Sequence, residues 1–275
     1  MIGSQKLDLP LLNRKRFNNV GICIYCGTTE DLTDEHIVPY GLGGNLVLPK
    51  SSCRACAAIT SRIERIVLRG PLRAVRIARG LQSRRRHSDA PTMLPLMVCH
   101  DQGWETVRLP HHEYPLIFHF FVYEVPGYFD EDCDGRLRVK GQLTYSFGST
   151  PEQVLTALGA KEIRIHQSYV PGEFAKMTAK VAYSMAVAEG VIDPSRGRPE
   201  VVRSILGELD EIGLWVGMAA QPRHWVGNVL HTILIQRDEE NGVLVGRVQY
   251  LTDSGTPFYT VVLGRLDDPF VVATT

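Results

Sequence analysis

The apolar positions change their repeat part-way along the chain. Over 57–69, Ile59, Ile63 and Ile66 recur at steps of three or four, the repeat of one helix face, and Gly70-Pro71 ends the run. A second helical run follows over 72–81 through Leu72, Val75, Ala78 and Leu81. A short strand over 32–38 precedes both. Beyond residue 93 the repeat shortens: 93–100, 105–109, 116–125 and 137–147 alternate or run apolar, with aromatic and β-branched side chains, and predict strands. Thr150-Pro151-Glu152 supplies a cap and a first-turn proline for a helix to about 158, and 163–169 reads as a strand. The clearest helix of the second half is 174–189, with Phe174, Met177, Val181, Met185 and Ala188 on one stripe and Gly190 stopping it. Another helix is predicted over 199–214. Strands over 225–236, 243–251 and 258–266, joined through Asn241-Gly242 and Ser254-Gly255, predict an antiparallel meander. The order implies an α+β protein with an N-terminal unit over 1–90 and a C-terminal domain of antiparallel strands plus helices over 91–275. The polar, basic stretch 83–95, closed by Pro91 and Pro95, is the expected boundary.

Charge adds an asymmetry that the net value hides. The 275 residues carry 30 Lys and Arg against 30 Asp and Glu, yet residues 1–90 hold 15 against 7 and residues 91–275 hold 15 against 23. Arginines stand at 62, 65, 69, 73, 76 and 79, and Arg84-Arg85-Arg86 closes a run of nine arginines against one acid. With Arg54, the series Arg62, Arg65, Arg69, Arg73, Arg76, Arg79, Arg84, Arg85 and Arg86 reads as a backbone grip on nucleic acid, since each guanidinium forks onto a phosphate without reading sequence. The alternatives are a solvated face, or pairing with acids of the second half. Arg14-Lys15-Arg16 is a smaller basic cluster, for phosphate or for solvation. The acidic second half docks a protein partner, senses a signal or shields the basic face.

The absence of a Walker loop, a GxSxG elbow and a GxGxxG turn argues against NTPase, α/β-hydrolase and Rossmann functions. No apolar run reaches membrane length; the longest, 114–125, is interrupted by His119 and Glu124. No signal-peptide pattern opens the chain, and the lone Cys99 and Cys133 suit a reducing compartment, so the expected location is cytoplasmic. Asp130, Asp132, Asp134 and Gly135 start a calcium-loop pattern, but Gly141 stands where a bidentate glutamate is needed, so an acidic hairpin turn is expected. His111-His112 reads as loop.

The chemistry concentrates between residues 23 and 64. Cys23 and Cys26 form one CxxC pair, Cys53 and Cys56 another, and the 26 residues between them match a four-cysteine structural zinc site. Asp34-Glu35-His36-Ile37-Val38-Pro39 and Gly43-Gly44 lie between the pairs. These residues together resemble the HNH endonuclease family, whose ββα-metal finger is often braced by two such knuckles. The resemblance covers about 45 of the 275 residues.

It implies metal-dependent hydrolysis of phosphodiester bonds, DNA first, with His36 as general base and Glu35 as ligand of a catalytic Mg2+, Mn2+ or other divalent cation. Asn45 takes the place of the family's middle residue. The chain departs from the pattern at Ala57, where the family has a His or Asn as second cation ligand. On a helix, Ser61 or Glu64 shares a face with Ala57, and the carboxylate of Glu64 suits a hard cation better; otherwise Glu64 pairs with Arg65 or Arg69. If nothing fills that position, the alternative is a catalytically inactive, zinc-containing nucleic-acid-binding protein. A further alternative makes the finger a protein-interaction module.

Overall fold

The computed structural model describes residues 15–81, 93–219 and 229–273. Its N-terminal part is built on β2 (Leu32–His36) and β3 (Leu46–Cys53), an antiparallel pair in which Leu32 faces Cys53 and His36 faces Val47. A turn through Tyr40–Leu42 joins them. It closes on Gly43, at φ 79°, and on Gly44, where a Cβ would lie 2.0 Å from the Val38 carbonyl, so the backbone reversal admits no side chain there. β1 (Lys15–Arg16) runs parallel to β3, and Arg16 pairs with Asp34 at 2.8 Å. The basic lead-in is thus partly spent on a neighbouring carboxylate, while Arg14 lies outside the described residues.

Helix α1 (Arg54–Arg69) starts three residues before the periodicity alone predicts, because Cys53 caps it: its Sγ accepts from the Cys56 amide at 3.5 Å. Gly70-Pro71 ends it, and α2 (Arg73–Ala78) follows in a new direction. The expected boundary at 83–95 falls mostly in 82–92, outside the described residues.

The described residues of the second half form three sheets. β4 (Met93–His100) lies between β5 (Gly103–Pro110) and β8 (Glu162–Arg164). Together with α3 (Pro151–Leu158) these strands enclose a small core of Leu96, Val98 and Val154. β6 (Pro115–Tyr123) and β7 (Val139–Gly148) make a two-stranded ribbon, and β9 (Val216–Met218) to β12 (Phe258–Arg265) make a sheet in the order β10-β11-β12-β9. The meander expected over the last third is therefore present, with β10 (His231–Asp238) beginning later than expected and β11 (Val243–Tyr250) at its centre. The helix expected over 199–214 is split into α5 (Val201–Leu206) and α6 (Ile212–Trp215), because Gly207 takes a left-handed conformation that ends the first. The strand expected over 163–169 shrinks to β8, which pairs only with β4. At the acidic turn Asp130 is occupied by Arg138 at 2.8 Å.

Helix α4 (Pro171–Ala188) is the axis of the molecule. The sequence shows one apolar stripe, but nearly every side from Phe174 to Val187 is buried, with small Ala175, Ala179, Ala182 and Ala186 between the large residues. α4 is enclosed by α1 on one side and by β9 to β12 on another. One hydrophobic cluster runs continuously from Cys23, Ile24 and Val67 through Phe174, Met177 and Tyr183 to Tyr250 and Tyr259. Among the described residues this cluster holds side chains from both sides of residue 90, so the part from 15 to 81 packs onto a helix of the second half. Among the described residues no helix is long and apolar enough to cross a membrane.

Candidate metal centre and nucleic-acid face

The first knuckle is a tight turn: the Thr28 carbonyl accepts from the Cys23 amide at 2.7 Å and the Cys23 carbonyl accepts from Gly27 at 2.8 Å. The second knuckle is the junction of β3 and α1. Together they bring the four sulfurs of Cys23, Cys26, Cys53 and Cys56 within 4.8 Å of one another, with Cys26 and Cys53 at 3.6 Å. Thiolates about 2.3 Å from a tetrahedral zinc are about 3.8 Å apart, so the cluster fits that ion. Burial, then the charge of Cys23, pushes the Cys56 thiol well above its ordinary range, while at Cys53 the Cys56 amide and neighbouring thiols outweigh burial and lower it. Bound zinc removes that conflict by taking all four as thiolates. The knuckle is pinned from behind by α4, where Tyr183 donates to the Ile24 carbonyl at 2.5 Å and the Tyr25 and Ser184 hydroxyls are bonded at 3.3 Å, and by Arg198 beyond that helix, which donates to the Tyr25 carbonyl.

Strand alternation sends Glu35 and His36 to opposite faces of β2. Glu35 points inward, 6% exposed. There it meets Lys180 of α4, whose Nζ lies 2.5 Å from Glu35 Oε1 and 2.8 Å from Glu64 Oε1. The same ammonium donates to the carbonyls of His36 and, at 3.3 Å, Ile37. Four oxygens therefore converge on the nitrogen of a lysine that is 1% exposed. Burial pushes the Glu35 carboxyl above its usual range, with Lys180 opposing it and Glu64 adding to it. At Lys180 burial works downward, but the two carboxylates outweigh it and hold the ammonium above its ordinary value. Two carboxylates facing one ammonium leave a buried negative charge, which accounts for both directions.

Residues 23–63 match the HNH endonuclease family model. This segment is an HNH finger with a zinc knuckle. No curated protein and no solved structure matches the chain.

Within the HNH finger the residues expected at the active centre are only partly assembled. His36 is half-buried, with its ring 5.7 Å from that of Tyr40 in an edge arrangement. Asn45 lies two positions before Val47, the cross-strand partner of His36, and its carbonyl accepts from Lys15 at 3.1 Å. Ala57 sits in the first turn of α1, and Ser61 is exposed. Glu64, two turns on from Ala57, does reach Glu35, but through Lys180 rather than through Arg65 or Arg69. As placed, these residues do not fit a divalent cation, because the space on which both carboxylates converge holds an ammonium. Lys180 was missed as a site residue. Its signal was a charged residue inside the otherwise apolar run Ala179-Lys180-Val181-Ala182, since a buried lysine needs an acid opposite it.

The arginine series divides in two. Arg54, Arg62, Arg65 and Arg69 lie within an arc of about 80° on α1, opposite the buried Cys56, Thr60, Ile63 and Val67. They and Arg73 are exposed, and among the described residues none of the five pairs with a carboxylate. Arg69 and Arg73, with Arg164 of β8, also line an open groove of about 800 Å3 whose described lining has no carboxylate. Arg76 and Arg79, by contrast, are bonded internally. Arg76 donates to the Gly41 and Leu68 carbonyls at 2.7 and 3.1 Å, and Arg79 holds Asp253 at 2.5 Å and Ser254 at 2.6 Å. Arg84, Arg85 and Arg86 lie outside the described residues.

One histidine fastens the finger to the sheet. His231 accepts the Leu251 amide at Nδ1 (3.2 Å) and donates from Nε2 to the Leu42 carbonyl (2.8 Å), which requires the neutral ring. Burial pulls its pKa from 6.5 to about 4. The unfolded chain thus takes up this proton more readily, so the stabilisation is complete above pH 6.5 and is lost as pH falls toward 4. The shift corresponds to about 3 kcal/mol. Urea unfolding at pH 7.5 and 4.5 is expected to show a smaller acid-induced loss for His231→Gln than for the wild type, and equal losses would show that this ring does not couple folding to pH.

Proposed function

We propose that this protein binds nucleic acid along the exposed face of α1, with the HNH finger at that helix's N-terminal end meeting the strand. The observation that carries the reading is the row of exposed guanidiniums of Arg54, Arg62, Arg65, Arg69 and Arg73, none paired with a carboxylate among the described residues, beside a finger of a nuclease family. Helix α1 has 16 residues and is about 24 Å long, enough to follow several successive phosphates. Contacts of this kind position the strand and release counterions, so DNA is the first substrate to test and sequence preference is not required.

The test is a salt series of gel shifts with duplex DNA. For Arg62→Ala/Arg65→Ala/Arg69→Ala the slope of log affinity against log salt is expected to fall by about 0.9 for each phosphate contact removed. An unchanged affinity and slope would move the protein toward the protein-interaction reading.

The second reading is phosphodiester cleavage with His36 as general base, favoured by the family match over residues 23–63 and by the approach of Glu64 to Glu35. It requires Lys180 to leave the two carboxylates. Incubation of supercoiled plasmid with Mg2+ or Mn2+, beside His36→Ala, tests it: nicking that disappears in the variant supports an enzyme. Equal nicking by both proteins, or none by either, removes it.

A further inference from the structure

We propose that Lys180 is the resident cation of the finger: its ammonium takes the place of the divalent ion used by the HNH family, and the finger works without one. This rests on the family reading of residues 23–63, and it concerns a residue outside that segment. The argument begins with the donors. Glu35 Oε1, Glu64 Oε1 and the carbonyls of His36 and Ile37 form an all-oxygen cage, the kind a hard cation selects. An ammonium has three protons to give, and this cage uses all of them.

The second step is the departure at Ala57. A methyl group where the family has a side-chain ligand leaves a divalent ion to complete its shell with water, whereas an ammonium brought in from α4 needs no donor there. The two changes are complementary: the finger has lost a ligand for a metal and gained a charge that makes the metal unnecessary.

The third step is that Lys180 is not free to leave. Its neighbours on α4 hold the helix from both sides: Tyr183 and Ser184 bond at Ile24 and Tyr25 of the finger, and Thr178 accepts from Tyr250 of the sheet. The helix and the finger are one packed unit, so withdrawing the ammonium means opening the core around it.

Zinc-loaded, full-length protein titrated with Mn2+ and followed by electron paramagnetic resonance tests the idea without any activity. Wild type is expected to bind no stoichiometric Mn2+, Lys180→Met to gain one site, and Glu35→Gln/Lys180→Met to lose it again. Wild-type protein that takes up one Mn2+ removable by Glu35→Gln overturns the proposal, and so does folded Lys180→Met that gains none. The wild-type arm decides even if the variant does not fold. Because no nucleic acid is present, the gel shifts can fail while this result stands, and the reverse.

Discussion

Cys53→Ser is expected to strip zinc from the protein and unfold the finger. Cys53 does two things: its sulfur belongs to the four-thiol cluster, and it caps α1 by accepting from the Cys56 amide. Serine is a good cap, so the substitution keeps the helix start and removes only the metal ligand. The loss is large because binding of structural zinc, about 10–16 kcal/mol in finger peptides, rivals the whole stability of an ordinary domain at about 5–15 kcal/mol. The damage should reach beyond residues 23–56, because Cys23, Ile24 and Tyr25 share a core with Phe174 and Tyr183 of α4. Elemental analysis is expected to fall from one zinc per chain to none, with a lower and broader thermal transition. Cys99→Ser, at a β4 position outside the cluster, should keep both values. A Cys53→Ser protein with full zinc content and an unchanged melt would remove the zinc brace from the account.

The parts of this architecture that could be read in the sequence are those fixed by short-range chemistry. Two CxxC pairs specify a metal cluster wherever the rest of the chain goes, because their spacing is that of a four-cysteine zinc site. Helix α1 was visible in the isoleucine spacing and the Gly70-Pro71 stop, and the last meander in its turn residues. The remainder depends on partners far away in the chain. Arg76 and Arg79 continue the arginine spacing, yet the chain turns at Gly70-Pro71 and aims them at Gly41 and at Asp253, 174 residues from Arg79. No periodicity distinguishes them from Arg65 or Arg69. The same holds for α4. Its sequence has one strong apolar stripe, but small alanines on the other sides admit α1 and the sheet, and burial all round follows from what packs there. Glu35 was legible as a site residue because of His36 beside it, whereas its actual partner lies 145 positions on and belongs to a helix that looked purely structural. Its location in the centre of the core explains why the described residues 15–81 share a hydrophobic cluster with the second half.

Lys180→Met is expected to destabilise the protein by about 3–5 kcal/mol. Methionine matches the lysine stem in length and keeps the packing against α1, so the effect isolates the charge. Removing the ammonium leaves Glu35 and Glu64 facing each other at 7% and 17% side-chain exposure, and deprives the His36 and Ile37 carbonyls of a donor. Glu35 is already pushed up by burial in the intact protein, so it should become protonated in the variant, and the deficit should shrink as pH falls. Neutralising all three groups in Glu35→Gln/Glu64→Gln/Lys180→Met should recover most of the stability, since replacing a whole buried ion cluster costs far less than breaking it. Urea midpoints of the wild type, the single variant and the triple variant measure the cycle. If the single variant unfolds at the wild-type midpoint, the ammonium is not what holds the two carboxylates together. Added Mn2+ supplies an independent check, because an ion that binds the folded variant alone raises its midpoint in proportion to the logarithm of its concentration. A rise confined to Lys180→Met would mean that the cage accepts either cation and that the lysine keeps the metal out.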